Sequence, residues 1–90
     1  MRLILYSKPG CHLCEGLEEK LAQIHSFSFD LEVRDITTRA DWVETYQYEV
    51  PVLCQDNNGK ETQIPRPSPR ASVSQLEQLL QKYLKTHDSE

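Results

Sequence analysis

A chain of 90 residues with 14 acids against 10 bases and a net charge of −4 is long enough for one domain with a small core. It lacks the clustered Lys and Arg of a nucleic-acid surface. No stretch approaches the ~20 apolar residues of a membrane-spanning helix, and Met1-Arg2-Leu3-Ile4-Leu5-Tyr6 has neither the apolar length nor the small-residue cleavage site of a secretion signal. The expected setting is a reducing cytoplasm with no membrane or nucleic-acid partner, where close cysteines serve catalysis or metal binding more often than structure.

Leu3 to Tyr6 is a continuous apolar run closed by Ser7-Lys8-Pro9-Gly10, which predicts a buried strand and a tight turn. From Cys11 the period becomes helical. Leu13, Leu17, Leu21 and Ile24 form one stripe and Glu15, Glu18, Glu19, Lys20 and Gln23 the other face, with an end near His25-Ser26. Phe27, Phe29, Leu31 and Val33 then alternate with Ser28, Asp30, Glu32 and Arg34, the pattern of a strand with one buried face. A strand, helix and strand at this spacing make a right-handed parallel crossover.

Thr38-Arg39-Ala40-Asp41 reads as a capping box, with Asp for Glu, opening a short helix through Trp42, Val43 and Tyr46. Val50 to Gln55 is a second apolar run. Asp56-Asn57-Asn58-Gly59 supplies a turn and Lys60 to Ile64 a returning strand, together a hairpin. Beyond Pro65-Arg66-Pro67-Ser68-Pro69-Arg70, Ser72 and Ser74 both offer N-caps to a last helix with Val73, Leu76, Leu79, Leu80, Tyr83 and Leu84 as its stripe. No internal repeat is visible. The expected fold class is α/β, with a mixed four-stranded sheet and three helices in the order β-α-β-α-β-β-α. Residues 1–85 form the single domain, a monomer, and 86–90 a polar tail.

The chemistry concentrates at Cys11-His12-Leu13-Cys14. Cysteines at i and i+3 in the first turn of a helix lie on one side of it and can close a ring. Unpaired N–H groups and the positive helix end favour a thiolate at the first, and Lys8 adds positive charge nearby. Cys11 is thus the expected nucleophile and Cys14 the thiol that resolves a mixed disulfide. The competing reading is part of a metal or iron–sulfur site. Zinc needs two further ligands, and Cys54, His12, His25 and His87 offer no second paired motif. No metal or cofactor is assigned. His12 is either a charge that tunes Cys11 or an exposed side chain. Cys54, inside an apolar strand, is read as a small core residue, and Trp42 and Tyr46 as packing residues. Pro51 within a buried run calls for a special backbone, for which a cis Val50-Pro51 bond is the natural solution.

Tyr6-Ser7-Lys8-Pro9-Gly10-Cys11-x-x-Cys14 resembles the active-site stretch of dithiol glutaredoxins, and Val50-Pro51-Val52-Leu53 resembles their cis-proline loop. The likeness spans almost the whole chain and is nearest to the short bacterial and plastid glutaredoxin-like branch. It implies a thioredoxin-like fold of glutaredoxin type and a small dithiol oxidoreductase that reduces protein disulfides or glutathione mixed disulfides. It also implies that Val50, beside cis-Pro51, offers its backbone to a bound substrate and that Lys8 meets the substrate's charge. A non-enzymatic module, binding a metal or iron–sulfur centre or acting as a redox-sensing partner, is the alternative. Two departures stand out. The Gly-Gly pair and the Asp or Ser that hold the γ-glutamyl end of glutathione are replaced by Ile64-Pro65-Arg66-Pro67-Ser68-Pro69-Arg70, and the Asp buried behind thioredoxin cysteines has no match in Leu3-Ile4-Leu5. Poor use of glutathione is therefore expected, because prolines lack the N–H groups that a glycine turn presents to a carboxylate.

Overall fold

The computed structural model describes residues 2–88, with side chains through Tyr83. Its elements are β1 (Arg2–Ser7), α1 (His12–Ala22), β2 (Asp30–Asp35), a 3₁₀ turn (Ile36–Thr38), α2 (Ala40–Tyr46), β3 (Val52–Asn57), β4 (Lys60–Gln63) and α3 (Val73–Asp88). The strands stand in the order β2-β1-β3-β4. β1 runs parallel to β2 and antiparallel to β3, which pairs antiparallel with β4. This is the mixed sheet and element order expected from the sequence.

β1 is covered on both faces from Leu3 to Tyr6, which is why that run is continuously apolar. Leu3 and Leu5 join Leu17, Leu21, Leu53, Leu76 and Leu80 in a core under α1 and α3. Ile4 and Tyr6 join Ile36, Val50, Val52 and Cys54 in a second core, against which Trp42 and Tyr46 of α2 pack. The cap of α3 is one of the two that the sequence offers. Ser72 Oγ accepts from Gln75 N at 3.1 Å while Gln75 Oε1 accepts from Ser72 N at 2.9 Å, so Ser72, not Ser74, begins the helix. The hairpin turns on Asn58 and Gly59, whose φ angles of 56° and 89° suit the Asn-Gly pair. α3 continues through Thr86 and His87 to Asp88. The last residues of the polar tail, Ser89 and Glu90, and the side chain of Leu84 lie outside the described residues.

Three expectations need correction. Thr38 and Asp41 do not form a capping box. Asp35 caps the 3₁₀ turn through Thr37 N at 2.9 Å, which draws Thr38 into that turn, its hydroxyl donating to the Asp35 carbonyl at 2.7 Å. Arg39 is the N-cap of α2 without a side-chain cap bond, and Asp41 instead receives the Arg39 guanidinium at 3.0 Å. Second, β2 begins at Asp30 rather than Phe27, since its ladder starts where β1 offers Arg2 as partner. Phe27 and Phe29 pack against the core from ahead of the strand, and Val33 at the sheet edge is 42 % exposed. Third, α1 stops at Ala22, so Ile24 reaches the core from the turn beyond it.

The polar residues of β2 are not a solvated face. Arg34 donates to the Tyr6 hydroxyl at 2.9 Å and bonds Glu32, while Tyr6 donates to Glu61. The Arg34 guanidinium also lies over the rings of Tyr6 and Trp42, at 5.6 and 5.3 Å. Beside the 7-residue α2, this network ties β2 and β1 to β4. Burial, then the bond to Glu61, holds the Tyr6 proton well beyond the ordinary phenol value of 10.0. A proton bound more tightly in the folded than in the unfolded chain stabilises the fold below pH 10.0 and ceases to do so as pH rises above it. Urea unfolding is therefore expected to show stability falling above that pH. Tyr6→Phe should cost about 1 kcal/mol at neutral pH and flatten part of the alkaline fall; an unchanged alkaline slope would remove the network from this role.

Candidate functional site

The turn after β1 delivers the first cysteine to a helix start. Gly10 takes a φ of +77°, a conformation that side chains rarely accept, and Cys11 N donates to the Lys8 carbonyl at 3.3 Å. Cys11 is the N-cap of α1, with an extended backbone, and its Sγ accepts from Cys14 N at 3.2 Å. The sulfur thus occupies the place a Ser or Asp oxygen takes at a helix start. Cys11 and Cys14 form a disulfide across a Cα separation of 5.3 Å, so the structure is that of the oxidised chain.

The two sulfurs differ in access. Cys14 is 2 % exposed and sits in the second core with Val50 and Val52, whereas Cys11 is half-buried and packs against that core from outside. The cis peptide at Val50-Pro51 is present. Pro51 lines the same cleft as His12 and Leu13, the residues between the cysteines. Val50 N donates to the Tyr46 carbonyl at 3.1 Å, and Val50 O accepts from Arg66 Nη2 at 3.4 Å. Lys8 is exposed and donates to the Gln47 carbonyl at 3.3 Å, at the carboxyl end of α2, where a cation suits the helix dipole.

The residues from Ile64 to Arg70 form a donor-poor loop. Three of them are prolines. Ile64 N is bonded to Leu53 O at 2.8 Å and Arg70 N to Ser68 Oγ at 3.2 Å. At the helix start beyond, the capping box already uses Ser72 N and Gln75 N. Arg66 reaches the site from this loop through its bond to Val50 O, a contact that no periodic or motif signal announces.

Between this loop and α1 lies a cleft of about 180 Å³, walled by Leu13, Gly16, Lys20, Arg66, Pro67 and Pro69 among others. Gly16 stands in mid-helix, where glycine costs about 0.5–1 kcal/mol relative to alanine. A methyl added there would meet nothing within 4 Å, so packing does not require the glycine.

Cys54 is buried in the second core. Burial first, then the Glu61 carboxylate, pushes its thiol up to about 11, which keeps it protonated and inert at neutral pH. His12 is exposed and lies 3.6 Å from Glu15. Among the described residues, no group of three or more His, Cys, Asp or Glu side chains stands together in a way that could hold a metal ion, and no helix is long and apolar enough to cross a membrane.

Residues 2–81 match the family model described as Glutaredoxin-like domain (DUF836). A structural-genomics target protein from X. campestris, XcR50, is similar at 31 % identity and a TM-score of 0.60, over 89 % of this chain and 96 % of that one. Thioredoxin 1 from the thermophilic eubacterium Thermosipho africanus TCF52B superposes with a TM-score of 0.66 at 20 % identity, over 98 % and 99 % of the two chains, which shows the fold to be thioredoxin-like. No curated protein matches the sequence.

Cys54 should be dispensable for chemistry at Cys11 and Cys14. Cys54→Ser places a hydroxyl in an apolar setting and should cost about 1–3 kcal/mol in urea unfolding, while reduction of a small aromatic disulfide stays within about twofold. A folded variant that lost this activity would bring the third thiol into the mechanism.

Proposed function

Belonging to the glutaredoxin-like domain family, the chain is, we propose, a dithiol thiol–disulfide oxidoreductase that reduces disulfides of partner proteins. The observation that carries this reading is the unequal placing of two bonded sulfurs, Cys11 half-buried at a helix N-cap and Cys14 buried behind it, with cis-Pro51 alongside.

In the reduced chain, Cys14 N–H and the positive end of α1 favour a thiolate at Cys11. That thiolate attacks one sulfur of a substrate disulfide and expels the other as a thiolate, which takes a proton from solvent. A mixed disulfide now joins Cys11 to the substrate. The Cys14 thiol loses its proton and attacks Cys11 Sγ, releasing the second substrate sulfur as a thiolate. Two electrons have passed to the substrate, and the enzyme is left as the Cys11–Cys14 disulfide seen in the structure. An external dithiol reductant returns it to the reduced form, in a compartment kept reducing, as the cytoplasm is.

Glutathione suits this site poorly. Of the backbone donors near the γ-glutamyl position of glutaredoxins, three are replaced by prolines and others are spent inside the loop and in the α3 capping box. Each charged hydrogen bond lost costs roughly ten- to a hundredfold in affinity. Val50 N–H is engaged by Tyr46, which leaves the carbonyl of Val50, with its second lone pair, as the backbone group for a substrate strand.

The test is capture by Cys14→Ser. Incubated with a disulfide-containing protein, this variant should accumulate one mixed disulfide through Cys11, located by mass spectrometry, and Cys11→Ser should form none. With a dithiol donor, wild-type turnover of the protein disulfide should exceed turnover of a glutathione mixed disulfide recycled by glutathione. Adducts formed equally through either cysteine would contradict the assigned roles, and efficient glutathione-coupled turnover would contradict the preference.

A further inference from the structure

The walls of the cleft beside the dithiol are chemically sorted. Leu13, Gly16, Pro67 and Pro69 make it apolar, and Lys20 and Arg66 stand on it. Among the described residues no carboxylate lines it, although acids outnumber bases by 14 to 10 in the chain. α1 separates the two characters by its own period. Leu13, Gly16 and Lys20 line the cleft while Glu15, Glu18 and Glu19 share a different surface. Leu13, which precedes Cys14 in the chain, is 49 % exposed, an apolar side chain left open on the cleft.

Both cations are held on carbonyls and not on acids. Lys20 Nζ donates to Pro69 O at 2.8 Å and Arg66 Nη2 to Val50 O at 3.4 Å; neither has a carboxylate partner among the described residues. The Arg66 bond fixes its guanidinium beside cis-Pro51 and leaves further N–H donors for a carboxylate. Gly16 opens the floor at a cost to the helix that the fold does not require.

We propose that this cleft selects the protein substrate, receiving the segment beside the reactive cysteine when that segment carries an apolar side chain together with an Asp or Glu. The apolar group fills the space over Gly16 between Leu13 and the prolines, and the carboxylate meets Arg66 and Lys20. This specificity rests on the oxidoreductase reading above.

Four peptides, each joined by a disulfide to the same reporter thiol, test it. They differ only in two neighbours of the cysteine: Leu with Asp, Leu with Lys, Ser with Asp, Ser with Lys. With the wild-type chain and a dithiol donor, kcat/KM should be about tenfold higher for Leu with Asp than for Ser with Lys. Arg66→Glu should reverse the order of the Asp and Lys peptides, and Gly16→Phe, which fills the cleft, should erase the difference between Leu and Ser. The same order should appear by calorimetry for peptides with S-methylcysteine bound to the Cys11→Ser, Cys14→Ser double variant, a reading independent of turnover. Equal rates or affinities across the four peptides would overturn the specificity and leave the dithiol reaction standing. Binding in this order with no turnover of any disulfide would retain the cleft and overturn the oxidoreductase reading. S-methylglutathione displacing the Leu-Asp peptide at lower concentration than the peptide itself would assign the cleft to glutathione and overturn the proposal.

Discussion

The two-sided burial of β1 is the constraint on which the molecule depends. Leu3, Ile4, Leu5 and Tyr6 are all buried, alternately toward the core of α1 and α3 and the core under α2. The strand is gripped on both sides by hydrogen-bonded neighbours. Its end is therefore the best-fixed point in a small domain, and Cys11 follows it after one turn. Three residues separate a rigid strand from the proposed nucleophile, so the sulfur's position is set by the sheet and not by a mobile loop.

The same strand accounts for the unequal placing of the two cysteines. α1 rests on the first core through Leu17 and Leu21, yet Cys14, in its first turn, is buried in the second. The helix starts where the two cores meet at the end of the sheet. One sulfur is drawn inward there and the other stays on the rim as the helix cap. In the proposed reaction, a resolving thiol shielded from solvent but adjacent to the attacked sulfur favours release of substrate by the intramolecular route.

Much of this was legible in the sequence because it rests on local signals. The apolar run of β1, the i, i+3 cysteines, the Asn58-Gly59 turn and the Ser72–Gln75 cap each announce their structure within a few residues, and each is found. The misreadings arose where a distant partner decides. Phe27 and Phe29 alternate like a strand, but among the described residues the ladder with β1 begins at Arg2 and Asp30. Thr38 and Asp41 look like a cap until Asp35 claims Thr38. Glu32 and Arg34 alternate with the apolar residues of the strand, and the bonds of Arg34 have no local signal because Tyr6 and Glu61 lie 28 and 27 residues away. The contact of Arg66 with Val50 O, across 16 residues, has no local signal for the same reason.

The central claim is that the helix start at the end of β1 makes Cys11 the attacking thiol. The pH dependence of iodoacetamide alkylation in the reduced chain, resolved by site with mass spectrometry, tests it most directly. The account predicts that Cys11 reacts first and that its rate reaches a plateau governed by a pKa of about 7.5 or lower, the range for thiols at helix N-termini. A Cys11 that titrates at or above about 8.5, the free-thiol value, or a Cys14 that is alkylated first, would contradict it.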